Sequence, residues 1–361
     1  EGNVNKIEFS NLQREILDKK DKKIVVMASA ASGKSALITE KTRQILRSGI
    51  DPKLVAVITF TNMAAEELRK RLGEDYKDGI YIGTVHGLAN NFLLSNGIDT
   101  SRCLKEEDFD KLFSLVKQNV HCIKEYSYVL LDEAQDSGDL EFEFIFDMIN
   151  PEHFFVAGDL KQSIYGFKGS KPELLFKLSR QPDVTSCSLN ENYRNGHNIL
   201  QYAKRIIRPT GMIDDSIALA ELPGSVFECS YGLEKISTMI LKDGNYGNWA
   251  VLTRTNAEIS DLIYVFSKMG IPYDTFKQSK VSKDELNKKM TQDTVKVLTI
   301  HSAKGLEWEN VAVIGTRTRP DEEKNVCYVA ATRAKQRLIW MGGKPKKSSQ
   351  PKSKTRVYNW G

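Results

Sequence analysis

The stretch that most constrains the fold is Ala28-Ser29-Ala30-Ala31-Ser32-Gly33-Lys34-Ser35. It lies between the apolar run Lys23-Ile24-Val25-Val26-Met27 and the helix-forming run Ala36-Leu37-Ile38-Thr39-Glu40-Lys41. The order reads as strand, phosphate loop, helix. A strand that turns through small residues straight into a helix leaves backbone N–H groups unpaired at the helix N-terminus, where the dipole also favours an anion. Triphosphate oxygens satisfy such donors. On this reading the backbone of Ala30, Ala31, Ser32 and Gly33 cradles the phosphates, Lys34 reaches the β- and γ-phosphates, and the Ser35 hydroxyl ligates the accompanying Mg2+. Ala28 stands where the GxxxxGK[ST] pattern begins with glycine.

A chain of 361 residues can bury two cores. With 40% hydrophobic and 27% charged residues it reads as a soluble globular protein, and no apolar run approaches the ~18 residues of a membrane span. The opening Glu1-Gly2-Asn3-Val4 does not read as a signal peptide. Five cysteines, widely spaced and without a CxxC pair, point neither to zinc nor to a disulfide framework, so a reducing cytoplasm is expected. The net charge of +5 is compatible with a polyanionic partner and identifies none.

Short, continuously apolar runs alternate with helical patterns. Leu54–Ile58, Tyr128–Leu131 and Phe154–Ala157 follow the first strand, and Val226–Cys229, Trp249–Thr253, Thr294–Leu298, Val311–Ile314 and Leu338–Met341 repeat the pattern. Strands apolar on both faces suit parallel sheets covered by helices, so two α/β domains are expected, at 1–186 and 187–343. Residues 344–361, opening with a lysine-rich low-complexity run, read as a basic, flexible tail.

A second chemical element is Val129-Leu130-Leu131-Asp132-Glu133-Ala134-Gln135-Asp136. An apolar strand that delivers two carboxylates at its C-terminal end suits a nucleotide site, because open α/β sheets bind ligands at that edge. Asp132 can hold Mg2+ through water, and Glu133 can orient and deprotonate an attacking water.

The run Asp132-Glu133-Ala134-Gln135-Asp136, together with Gly158-Asp159-Leu160-Lys161-Gln162-Ser163-Ile164-Tyr165-Gly166-Phe167-Lys168-Gly169, resembles the UvrD/Rep/PcrA family of superfamily 1 helicases. Further blocks occur in the same order: Phe9–Gln13, Thr59–Ala65, Gly83–His86, Asn192–Arg194, Val251–Asn256, Thr299–Trp308 and Tyr328–Lys335. The resemblance implies an α/β fold of two tandem RecA-like domains, each a largely parallel sheet flanked by helices. It also implies an ATP-dependent 3′–5′ translocase or helicase on single-stranded DNA, with ATP and Mg2+ as cofactors.

The same resemblance implies residue roles. Gln13 reads the adenine edge, Tyr193 stacks on the base, Glu307 contacts the ribose and Gln162 senses the γ-phosphate. Arg194 and Arg333 act as arginine fingers on that phosphate. Phe60, His86, Tyr165, Phe167 and Trp308 stack on bases, while Asn62, Thr84, Lys168 and His301 bind phosphates or position those rings. Ala36, Met63 and Val85 depart from the family's usual arginine, lysine and phenylalanine. The intervals that carry long helical insertions in relatives are short here: Asn90–Ser127 reads as two helices, and Ser267–Asp293 as a polar lysine-rich connection. The expectation is therefore a bare motor that acts in DNA repair, replication or recombination and takes duplex contacts from a protein partner, with no membrane role. The alternative is an ATPase subunit that senses nucleic acid and regulates a partner nuclease or repair complex.

Overall fold

The computed structural model describes residues 8–314, 321–342 and 356–358. The chain divides into two compact units, one of residues 1–28 and 32–189, the other of residues 29–31 and 190–361.

The first unit is built on a six-stranded sheet of β1 (Lys23–Ala28), β2 (Val55–Ile58), β3 (Tyr81–Gly83), β4 (Tyr128–Leu131), β5 (His153–Gly158) and β6 (Thr185–Leu189), in the order β3-β2-β4-β5-β1-β6. Every pairing is parallel. Side chains alternate across the strands, so one apolar run feeds two cores. Val25, Ala56, Ile58, Val129, Leu131 and Val156 pack with Phe92, Phe113 and Phe144 on one face. Ile24, Val26, Val55, Val57, Leu130 and Phe155 pack with Leu37, Ile38 and Leu68 on the other. This two-sided burial makes the strands read as unbroken hydrophobic runs.

The second unit carries β7 (Glu191–Asn192) and β8 (Ile217–Ala218), which form a small parallel ladder. Its main sheet comprises β9 (Ser225–Cys229), β10 (Trp249–Thr253), β11 (Tyr273–Asp274), β12 (Val295–Thr299), β13 (Trp308–Ile314), β14 (Ala334–Met341) and β15 (Arg356–Tyr358). The order is β11-β12-β10-β13-β14-β9-β15, parallel except where β15 runs antiparallel to β9. Both sheets are thus largely parallel with flanking helices, the arrangement of RecA-like domains.

Some expectations need correction. Thr185–Leu189 pairs with β1, and the first unit runs to Leu189. The connection before β12 is not an irregular linker: it holds β11 and the helix Lys283–Thr291. Lys296 anchors it, being buried with its Nζ donating to the Gln292 carbonyl (2.9 Å) and to the Thr294 carbonyl (2.6 Å). The Asn90–Ser127 interval begins inside the helix Val85–Ser95 and contains two more, Ser101–Lys105 and Phe109–Gln118. Within the stretch expected to be a flexible tail, Arg356–Tyr358 forms strand β15, while the lysine-rich run 344–354 lies outside the described residues.

Candidate nucleotide and nucleic-acid sites

At the carboxyl end of β1 the chain turns through the phosphate loop into the helix Lys34–Arg47, whose N-cap Gly33 provides no side-chain hydrogen bond. Gly33 has φ +81°, a left-handed conformation that favours glycine, and a Cβ there would push on the end of the Gln13 side chain, its Nε2 lying 2.9 Å away. Ala31 adopts φ 55°, a left-handed conformation that costs an alanine free energy. Ala30 is buried. The Ser32 hydroxyl is buried without a hydrogen-bond partner among the described residues, an unmet polar group in the loop expected to hold phosphates. Gln13 braces the loop: its Nε2 donates to the Ser32 carbonyl at 3.0 Å, and its Oε1 accepts from the Ser10 N–H at 3.0 Å. Both ends of the amide expected to read adenine are therefore engaged.

The acidic residues follow β4 on the neighbouring side of the same sheet edge. The Lys34 Nζ donates to the Glu133 Oε1 at 2.5 Å, and the Ser35 hydroxyl donates to the Asp132 Oδ2 at 2.7 Å. Burial works against the Lys34 charge, yet Glu133, Asp132 and Asp159 around it hold its ammonium well above the usual lysine range. Burial raises the Asp132 carboxyl, with Lys34 opposing it. A hydroxyl beside a carboxylate is the oxygen donor pair that suits Mg2+, with phosphate and water completing the shell. Among the described residues no cluster of three or more His, Cys, Asp or Glu could hold a metal.

Sequence reading assigned no role to Gln135, although it lies in the acidic run. It is fully buried, and its Nε2 donates to the Glu133 Oε2 at 2.5 Å while its Oε1 accepts from the Asp159 N–H at 2.9 Å. The Gln162 Nε2 in turn donates to the Asp159 Oδ2 at 2.8 Å, and the Lys161 Nζ lies 3.1 Å from the Asp159 Oδ1. Lys34, Glu133, Gln135, Asp159 and Gln162 thus form one hydrogen-bonded chain.

The same unit carries exposed rings. Phe60 and Tyr165 stack at 5.4 Å with an interplanar angle of 19°, Phe167 lies 6.2 Å from Tyr165, and the Lys168 Nζ sits 5.4 Å from the Tyr165 centroid. Phe60 is 42% and Phe167 66% exposed, so neither is a core residue. Asn62 is exposed at the first position of the helix Asn62–Leu72. The Thr84 hydroxyl is instead used as a helix cap, accepting from the Gly87 N–H at 3.1 Å. His86 stacks on Phe109 at 3.9 Å and lies 3.4 Å from the Glu141 carboxylate. Burial raises Glu141, but the contact with His86 and backbone donors bring it below the usual range.

In the second unit, the Arg194 Nε donates to the Glu307 Oε2 at 2.5 Å, and Lys335 pairs with the Glu307 Oε1 at 3.2 Å. Glu307, expected at a ribose, is thus the counter-ion of two cations. Arg333, expected as a finger, is only 1% exposed. It donates to the carbonyls of Val329 (2.9 Å) and Leu306 (3.2 Å) and to the Thr332 hydroxyl (3.1 Å). Trp308, expected to stack on a base, is buried in β13, and its indole N–H has no partner among the described residues. His301 is half-buried in the short helix Ile300–Ala303. Tyr193 is 46% exposed, its hydroxyl donating to the Glu191 Oε2 at 2.8 Å. No described helix is long and apolar enough to cross a membrane.

Comparison with known proteins gives the family. The model of the UvrD/REP helicase N-terminal domain matches residues 9–121 and 108–183, and that of the UvrD-like helicase C-terminal domain matches residues 276–342. A probable DNA helicase II homolog of Mycoplasma capricolum is 24% identical over 74% of this chain and 52% of its own length. The ATP-dependent DNA helicase PcrA of Staphylococcus epidermidis is 24% identical over 69% of this chain and 48% of its own. DNA helicase II of Escherichia coli is 20% identical over 92% of this chain and 60% of its own. The chain spans about half the length of the curated relatives it matches. Two domain models in the family's order, lying over the phosphate loop, the acidic strand and the Glu307 block, place the chain in the UvrD-like superfamily 1 helicases.

Proposed function

We infer that this chain hydrolyses ATP and uses the cycle to move 3′ to 5′ along single-stranded DNA in repair, replication or recombination. The observation that carries the reading is the chain from Lys34 through Glu133, Gln135 and Asp159 to Gln162, beside the Ser35–Asp132 pair. Lys34 and the loop N–H groups bind the β- and γ-phosphates, with the Ser32 hydroxyl as a further donor. Ser35 and Asp132 hold Mg2+, which neutralises phosphate charge when bound. Phosphate drawing on the Lys34 ammonium releases Glu133 to accept the proton of an attacking water, while Gln135 keeps the carboxylate aligned. Tyr193 stacks on the base, Arg194 offers charge to the transferring phosphoryl group, and Arg333 serves mainly to fix its surroundings. Phe60, Tyr165, Phe167 and Lys168 form the track, since stacking holds bases of any sequence at about 1–3 kcal/mol each.

The test is the ATPase rate with no nucleic acid, with single-stranded DNA and with single-stranded RNA. Stimulation by DNA, lost in a Phe60→Ala/Phe167→Ala variant that keeps its basal rate, supports the reading. A rate indifferent to nucleic acid overturns the motor assignment. With short intervals where relatives carry long insertions, the protein is expected to clear a protein block from a single strand yet to open long duplexes poorly without a partner. Each base pair costs about 1.4 kcal/mol to open, and little here would hold the separated strands apart. Efficient processive unwinding by the purified chain would contradict this.

A further inference from the structure

The phosphate loop occupies the carboxyl edge of the first unit's sheet, and the amino edge holds a separate cavity. Its volume is about 220 Å³, and its walls include Lys19, Lys20, Lys41, Tyr128, His153 and Phe155. The six residues of β1 separate the two edges by roughly 17 Å at the strand's rise per residue, so this is not an extension of the nucleotide site.

Three observations bear on what the cavity takes. The first is charge. Four lysines, Lys19, Lys20, Lys22 and Lys41, line it against one carboxylate, Asp21. Lys22 is neutralised by Glu152 at 2.5 Å, and the Lys41 Nζ donates to the carbonyls of Leu17 (2.9 Å) and Lys19 (3.1 Å) at the C-terminal end of the helix Asn11–Asp18. Lys19 and Lys20 make no side-chain ion pair with any described residue. Burial lowers the Lys41 pKa and the Lys20 charge lowers it further, while Asp18 and Asp21 oppose the shift.

The second observation is an aromatic wall. Tyr128 and His153 stack at 4.3 Å with an interplanar angle of 8°, and the Lys41 Nζ sits 5.8 Å from the Phe155 centroid. The third is size: the space holds only about 220 Å³.

Cations on the rim and flat rings in the wall fit a compact anion attached to a small planar group. The cavity is below the usual range for drug-sized ligands, which limits the occupant to about one ring and one phosphate. We propose that this amino-edge cavity is a second phosphate site of the chain, taking a phosphate monoester carried on a single ring system. The monoester is either a free mononucleotide or the terminal phosphate of a nucleic-acid strand, and binding there requires no hydrolysis.

The experiment is calorimetric titration of the full chain with thymidine 5′-monophosphate, run on the wild type, on Lys34→Ala and on Lys19→Glu/Lys20→Glu. The proposal expects binding that persists in Lys34→Ala and weakens at least tenfold in the double variant. Binding lost in Lys34→Ala but kept in Lys19→Glu/Lys20→Glu overturns the proposal, as does no binding to either wild type or Lys34→Ala. A single strand with a 5′-phosphate, compared with its 5′-hydroxyl counterpart, separates the two sources. Preference for the phosphorylated end that disappears in the double variant assigns the site to strand ends, and its absence assigns it to the free mononucleotide.

Discussion

The charged groups gathered around Lys34 and those gathered around Glu307 solve one problem in opposite ways. In the first unit, Lys34 and Glu133 are each other's partners, and every further link is a side-chain or backbone hydrogen bond inside a buried network. In the second, the Glu307 side chain is 41% exposed and shared by Arg194 and Lys335, while Arg333 turns inward and spends its donors on carbonyls and a hydroxyl. A buried cluster that satisfies itself is exchanged only for a ligand offering at least as much charge and as many acceptors. A carboxylate as exposed as Glu307 is exchanged more readily. Chemistry is therefore expected to depend on the first cluster and regulation by solution conditions on the second.

The comparison breaks most visibly if Lys34→Ala or Glu133→Gln leaves hydrolysis near normal. Each is expected to reduce turnover by about 10² to 10⁴, with ATP binding retained in Glu133→Gln, as measured by steady-state ATPase and nucleotide titration. Next in size, Arg333→Ala should lower unfolding stability by about 3 kcal/mol in a denaturant melt, because it strands buried acceptors. Arg194→Ala, which gives up one carbonyl and a partly exposed carboxylate, should cost less than Arg333→Ala in the same melt while suppressing DNA-stimulated hydrolysis. Equal destabilisation by the two would erase the distinction between the two arginines.

Gln135→Glu sharpens the contrast without a change of shape. A carboxylate placed against Glu133 raises its pKa, so the acidic limb of the pH–rate profile should move up by about one unit; an unmoved limb would sever Gln135 from the reacting carboxylate. A smaller effect is expected at Ala31, where glycine relieves the left-handed conformation and should stabilise by about 0.5 kcal/mol in a thermal melt. Least of all is the Glu307 contribution. Burial opposes its charge, but Arg194 and Lys335 hold its pKa below the usual value of 4.5. Its stabilisation is present above the unfolded pKa and lost as pH falls through the folded one. Glu307→Gln should remove under about 1 kcal/mol of acid-side pH dependence.

Much of this was legible in the chain itself. The strands with continuous apolar runs were readable because both faces are buried, as in Val55–Ile58. Tyr81–Gly83, Tyr273–Asp274 and Thr185–Leu189 were not: two are very short, and the third alternates polar and apolar residues at a sheet edge. Lys34, Ser35, Asp132 and Glu133 meet as their spacing suggested. The fates of Arg333 and Trp308 were hidden because a motif records which residue stands at a position and not which way its side chain turns. Gln135 was missed for a related reason: an amide inside an acidic run gives no charge signal, and its two partners come from residues on either side of β5.

Strand β15 changes how the C-terminal segment can be studied. By pairing antiparallel with β9 it covers backbone donors and acceptors along what would otherwise be the rim of a six-stranded sheet. Removing everything from residue 344 onward would strip that cover together with the lysines, leaving β9 open to pair with another molecule. Self-association of such a truncated protein would then imitate a loss of nucleic-acid grip. Replacing the lysines between 344 and 354 with glutamine while retaining Arg356–Tyr358 keeps the rim closed, so that any flattening of the salt dependence of DNA binding reports charge alone.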